Sequence, residues 1–122
     1  MNNITIRNQS RPLKLPLNVR YCERFLCKLR GLMFRKNLAP EEGLLFADVK
    51  PSRLNAGIHM LGMFFGLSII WLDVNLRVVD KALAQPWVSF VFPSSPARYV
   101  IECAISRYEE FTIGDQLAFE PK

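Results

Sequence analysis

A chain of 122 residues, half of them hydrophobic and 22% charged, is long enough for one domain with its own core and too apolar to be disordered. The net charge of +5 is laid unevenly. Residues 1–36 hold nine Lys and Arg against Glu23, a net of +8, whereas residues 37–122 hold seven against ten acids, a net of −3.

The first 20 residues contain no apolar run of signal-peptide length. Cys22, Cys27 and Cys103 are an odd number without framework spacing, which fits three thiols in a reducing compartment. The expectation is a cytoplasmic protein, with residues 1–122 as a single domain.

In chain order, Ile4-Thr5-Ile6 reads as a short strand, and residues 13–17 as a second one weakened by Pro12 and Pro16. Asn18 is placed as the N-cap of an amphipathic helix near residues 19–30. Its apolar stripe is Cys22, Phe25, Leu26, Leu29 and Met33, with Arg20, Arg24 and Lys28 on the opposite, wet face. After a loop over residues 36–43, Leu44-Leu45-Phe46 opens a buried strand that Lys50-Pro51 breaks.

Residues 56–72 form the most apolar stretch. They number 17 and include three glycines, whereas a spanning helix needs roughly 20 apolar residues. Two buried strands joined at Phe65-Gly66 are therefore expected, and no membrane span. Asp73-Val74-Asn75-Leu76 supplies turn residues, and Arg77 to Ala82 form the return strand of the clearest hairpin. Residues 87–92 and 98–103 follow as strands. Ser106 and Glu109 match a capping box for a short helix near residues 106–111, and a last strand covers 116–120. About eight short strands and two helices predict a mainly β (α+β) fold, a compact β-sandwich or barrel.

Three blocks carry a family resemblance. The first is Arg30-Gly31-Leu32-Met33-Phe34-Arg35 with Glu42-Gly43-Leu44-Leu45-Phe46. The second starts at Met60 and continues through Leu67-Ser68-Ile69-Ile70-Trp71-Leu72-Asp73 to Arg77-Val78-Val79. The third is Pro96-Ala97-Arg98-Tyr99-Val100-Ile101-Glu102 with Gly114-Asp115. Over about residues 20–120 the chain resembles the bacterial and archaeal Domain of Unknown Function 192 (DUF192) family. That resemblance implies a β-sandwich of the jelly-roll kind and brings no activity. Similar members often read aromatic-Trp-Met-Lys-Asn-Thr centrally, followed by Pro-Leu-Asp. The corresponding positions here are Ile58 through Met63 and Gly66-Leu67-Ser68, so the polar Lys, Asn, Thr and Asp are missing.

No complete catalytic signature is present. His59, the only histidine, is the natural catalytic suspect, with Cys103, Asp73 or Asp80 as conceivable partners, but a triad needs all its groups brought together. Cys22 and Cys27 would lie about 140° apart on a helix, a poor grip for zinc, and no phosphate loop occurs, so neither metal nor cofactor is expected. Arg30 lies off the wet column and is positioned to pair with Glu42. Together with His59 and Arg98 it forms the speculative ligand-binding set. The leading expectation is a non-catalytic binding or accessory module for an unknown small molecule or protein. The alternative is a nucleic-acid-associated protein using Arg20, Arg24 and Lys28, and a hydrolase centred on His59 ranks third.

Overall fold

The computed structural model describes residues 3–22, 32, 35–88 and 90–121. It holds nine strands: β1 Asn3–Asn8, β2 Leu17–Cys22, β3 Glu42–Ser52, β4 Ile58–His59, β5 Leu67–Leu72, β6 Val78–Ala84, β7 Phe90–Val91, β8 Ala97–Cys103 and β9 Leu117–Pro121. A 3-10 helix occupies Ile105–Glu110. Seven strands form one mixed sheet in the order β6-β5-β8-β3-β2-β1-β9, and β4 pairs with β7 in a separate ribbon. All pairings are antiparallel except β2 with β3.

The mainly β expectation holds, but the sheet is open, not a closed barrel. Its two edge strands approach at a single bridge, Arg77 to Gln116, where the turn before β9 meets the β5–β6 hairpin. Leu117 N–H donates to the Leu76 carbonyl, and Val78 N–H to that of Asp115. Residues from both ends of the sheet thus share one core: Ile6, Leu17 and Leu117 meet Leu72, Val78 and Phe111.

The period-two alternation of strands divides the interior. In β5 every residue is buried, because Leu67, Ile69 and Trp71 face one cluster while Ile70 and Leu72 face the other. The first cluster is roofed by Ala56, Ile58, Met60 and Met63. Trp71 donates its indole Nε1–H to the Ala56 carbonyl at 2.8 Å, fastening that roof to the sheet.

Several expectations need correction. Residues 17–22 form β2, not the loop and first turn of a helix: Leu17, Val19 and Cys22 are buried while Arg20 is exposed. The remainder of the proposed helix, residues 23–30 with Arg24, Lys28 and Arg30, lies outside the described residues. Cys22 is disulfide-bonded, so the expectation of three thiols fails there. The connection expected at Phe65-Gly66 does not pair two strands, since β4 bonds to β7 and β5 to β6 and β8. Of the described residues among 87–92, Phe90–Val91 form a strand. The 3-10 helix is capped by Ala104, which brings no side-chain hydrogen bond, so the Ser106–Glu109 box does not form.

The 3-10 helix is instead held from beneath. Arg107, 1% exposed, donates to the carbonyls of Leu15 (2.8 Å), Pro40 (3.1 Å) and Pro16 (3.4 Å), and its Nε lies 2.9 Å from the Glu110 carboxylate. A buried guanidinium needs such company, because a charge removed from water must be paired and hydrogen-bonded.

Candidate binding face

The β4–β7 ribbon has two unlike faces. Ile58 and its cross-strand partner Val91 turn inward and pack on the core. His59 and its partner Phe90 turn outward, with ring centroids 6.3 Å apart. One step along, Phe92 lies over Gly57, where a Cβ would collide with the ring. Arg53, Leu54 and Phe92 line a hollow of about 270 Å³, and Arg53 Nε donates to the Pro93 carbonyl at 3.1 Å.

At the other end of the ribbon stands Trp87. Its N–H donates to the Met60 carbonyl, and Val88 N–H donates to Pro86, closing a three-residue turn at 2.8 Å. Trp87 has φ 68°, a strained value for a bulky residue. That strain presents the indole at the surface, 51% exposed, where Phe64 packs edge-on with centroids 6.1 Å apart. Phe64, Phe90 and Phe92 are themselves about half exposed, and Leu54 and Val88 more so. The exposed apolar side chains thus fall in three contacts along this side of the protein: Leu54 with Phe92, Phe90 with His59, and Phe64 with Trp87.

The electrostatics around these contacts are unusually bare. Residues 54–72 and 82–97 contain no Lys, Arg, Asp or Glu. Arg53 stands at one rim. Asp80 borders the Pro93–Ser94 turn, but its carboxylate accepts the N–H groups of Lys81 and Ser94 at 2.8 and 2.9 Å.

The residues expected to form a site are dispersed. His59 is half-buried on β4, in the ribbon. Arg98 is on β8 in the main sheet, donating from Nε to the Asp48 carbonyl at 2.6 Å and lying over the Tyr99 ring. Arg30 is outside the described residues, and Glu42 pairs with Arg35 at 3.3 Å. Arg20 lines a polar groove of about 260 Å³ with Asn3, Asn18, Arg35 and Glu42.

Cys103 is no partner for His59. It is wholly buried in the second cluster, and burial, the largest influence on it, pushes its thiol up to about 12. A protonated thiol is a poor nucleophile. Glu102, beside it, is raised to about 8 by burial, which favours its protonated form. Asp115 behaves oppositely. Burial opposes its ionisation, but hydrogen bonds from Asn8 (2.8 Å), Thr112 N–H (2.9 Å) and Arg11 (3.1 Å) hold it below the usual carboxylate range. Among the described residues no cluster of three His, Cys, Asp or Glu is arranged to hold a metal ion. No helix of the described residues is long and apolar enough to cross a membrane.

These exposed side chains were missed in the sequence because the aromatic residues among them have the composition of a buried strand. The available signal was the absence of charge over residues 82–97 together with Pro86, which forbids a regular strand there.

Comparison with known proteins agrees with this fold. The family model DUF192, described as Uncharacterized ACR, COG1430, matches residues 5–119. A UPF0127 protein of Pyrococcus horikoshii is 38% identical over 97 residues, covering 80% of this chain and 81% of that one. A UPF0127 protein of Pyrococcus furiosus is 33% identical over 112 residues, covering 90% and 93%. A crystal structure from Sinorhizobium meliloti 1021, provisionally described as a transcription regulator, superposes with TM-score 0.83 over 97% of this chain and 92% of its own, at 19% identity. A protein of unknown function from Novosphingobium aromaticivorans gives TM-score 0.77 over 95% and 83%, at 24% identity. At these identities the two structures speak for the fold alone.

Proposed function

The chain belongs to the DUF192 family of uncharacterised proteins, and from that premise we propose that it is a non-catalytic binding module whose contact face is the outer side of the β4–β7 ribbon. The observation that carries this reading is the set of Phe64, Trp87, Phe90 and Phe92, each between 48% and 62% exposed. Single exposed apolar side chains are ordinary, whereas several large ones gathered on one ribbon and its flanking turn mark a place where something else sits. Tryptophan and phenylalanine are also the residues that contact faces favour. His59 contributes its ring to the edge of this face and does no chemistry. The cytoplasmic setting expected from the cysteines loses its support at Cys22, which is disulfide-bonded.

An apolar reporter dye, anilinonaphthalene sulfonate, tests the face without knowledge of the partner. The native protein should enhance its fluorescence, and Trp87→Ser with Phe90→Ser should abolish most of that enhancement while the far-UV circular dichroism stays the same. A native protein that leaves the dye dark would remove the reading.

A second reading rests on Arg20 and Arg35 sharing one groove. Nucleic-acid binding of that kind should fall steeply with salt, and replacement of Arg20, Arg24 and Lys28 by Gln should weaken it and flatten the salt slope. Undetectable binding of mixed-sequence DNA or RNA at about 0.15 M salt, where the Debye length is near 8 Å, would leave the apolar face as the sole reading.

A further inference from the structure

We propose that the hollow between β1 and residues 12–16 is a small-molecule site for an apolar monocarboxylate of the N-acyl amino acid class, which completes the strand pairing that β1 lacks there. The site lies at the β1 end of the main sheet and does not rest on the reading of the ribbon.

The hollow has its cause in the chain. β1 and β2 stay in register from Asn3 opposite Arg20 to Ile6 opposite Leu17. Continued, that register would set Pro16 against Arg7 and Leu15 against Asn8, but β2 starts only at Leu17. Pro16 has no N–H to give a ladder. Arg107 draws the Leu15 and Pro16 carbonyls to itself, at 2.8 and 3.4 Å. The rest of the loop is fastened as well. Asn8 Oδ1 accepts the N–H groups of Ser10 and Arg11, Arg11 holds Asp115, and Glu110 accepts the Lys14 N–H at 3.1 Å. The loop is thereby held off β1, around a space of about 420 Å³ with Ile6, Pro12, Leu13, Leu15 and Pro16 as its apolar lining. Spaces of that size hold small molecules.

The backbone of β1 supplies the pairing. Gln9 N–H donates to the Gln116 carbonyl on the β9 side at 2.8 Å. Successive residues of an antiparallel strand turn their N–H and C=O groups to opposite neighbours. Odd-numbered residues of β1 therefore bond toward β9 and even-numbered ones toward β2. Ile4 and Ile6 meet Val19 and Leu17 on that side, whereas Asn8 meets no strand residue, and its N–H and C=O make no backbone hydrogen bond with the loop. Such groups are normally paired. One acyl amino acid satisfies both, offering its N–H to the Asn8 carbonyl and a carboxylate oxygen to the Asn8 N–H. This is strand addition reduced to a single pair.

The charges at the hollow select one negative charge. Its charged lining residues are Arg7 and Lys14. The three acids around it are each matched by an arginine: Glu120 by Arg7 at 2.6 Å, Asp115 by Arg11 at 3.1 Å and Glu110 by Arg107 at 2.9 Å. Lys14 engages Glu110 through its backbone N–H, and its ammonium forms no ion pair among the described residues. The excess is one cation, which a monocarboxylate balances.

The test is a titration of the isotope-labelled full chain with N-acetyl-leucine, followed by amide NMR. N-acetyl-leucinamide, which lacks the charge, and isocaproate, which lacks the amide, are run beside it. The expected result is saturable shifts at Asn8, Leu13, Lys14 and Leu15, with Phe90 of the ribbon unmoved. Both analogues should bind about fivefold more weakly, the scale of one partly exposed ion pair or one hydrogen bond. Lys14→Gln should bring N-acetyl-leucine down to the level of its amide and leave the amide's own affinity unchanged. Leu13→Ser should weaken all three. Should that variant fail to fold, Lys14→Gln at an exposed position carries the test alone. Wild-type shifts that do not saturate, or equal affinity for the acid and its amide, overturn the proposal. Shifts at Phe90 and Trp87 in place of Asn8 also overturn it, and leave the ribbon reading standing.

Discussion

The indole of Trp71 and the carbonyl of Ala56 meet at 2.8 Å inside the protein, so the buried strand β5 holds the chain just before the ribbon by a buried bond. Trp71→Phe keeps a ring there but leaves the carbonyl unsatisfied and a small void beside it. Stability to urea, followed by far-UV circular dichroism, should fall by about 2 to 4 kcal/mol. Hydrogen exchange at Ile58 and His59 should accelerate more than exchange in β8. Equal acceleration in both would mean that Ala56 is not a local fastening.

Gly43 and Gly114 separate two reasons for glycine. A Cβ on Gly43 would stand 2.5 Å from the backbone oxygen of Glu102, at the end of the β3–β8 pairing opposite Cys103, where backbone cannot yield cheaply. Gly114 has open space but φ 98°, a backbone that side chains resist. Gly43→Ala should cost about 2 kcal/mol or more, like other overpacking of a tight interior, and Gly114→Ala about 1 to 2 kcal/mol. The reverse order in chemical denaturation would contradict this geometry.

Glu102 makes stability depend on pH in an unusual direction. Its folded pKa of about 8 lies above the ordinary 4.5 because burial disfavours the carboxylate. Below pH 4.5 both states are protonated and nothing is lost. Between 4.5 and 8 the unfolded chain releases the proton and the folded one keeps it. Stability therefore declines as pH rises, by at most about 1.4 kcal/mol per unit, and levels off above 8. Glu102→Gln should abolish that decline and stabilise the protein at pH 7 by about 2 to 3 kcal/mol. Parallel wild-type and variant curves would refute it.

Asp115 imposes the opposite limb at low pH. Its folded pKa is lowered, so its contribution is present above about 3.8 and lost as pH falls through the lower folded value. Asp115→Asn should show less acid-induced loss than wild type, starting from a lower plateau at pH 6.

Arg107→Lys tests the fork beneath the 3-10 helix. A lysine brings one ammonium where a planar guanidinium reaches the carbonyls of Leu15, Pro16 and Pro40 and lies beside Glu110. Loss of about 3 kcal/mol is expected, in the range for breaking a buried charged network. A change within 0.5 kcal/mol, as a surface arginine would give, would show the fork to be slack.

How much of this was legible in the chain depended on whether one interaction ruled a segment. The β5–β6 hairpin could be read because Asp73 and Asn75 are local turn formers. The structure has Asp73 Oδ1 accepting from Asn75 and Arg77, with Leu76 at φ 63°. The strand at Leu17–Cys22 could not be read, because its apolar residues also satisfy a helical stripe and its pairings, antiparallel with β1 and parallel with β3, are not marked by any local turn signal. The mainly β class and the family blocks survived these errors. The binding face did not emerge, because aromatic residues look alike in sequence whether they face the core or water. Only the pairing of β4 with β7 decided that Val91 turns in and Phe90 out.

The placement of β9 at the sheet edge beside β1 bears on how the protein is made. Arg7 reaches Glu120 across 113 positions at 2.6 Å, and β9 covers all but one residue of β1 in register, Ile4 opposite Pro121 through Asn8 opposite Leu117. On the ribosome β1 emerges well before its second neighbour, β9. Throughout that interval β1 presents an open edge to any extended chain nearby. A stalled or truncated product ending before Leu117 would keep that edge permanently, a template for pairing with other nascent chains. Quality control during synthesis would have to guard this one strand.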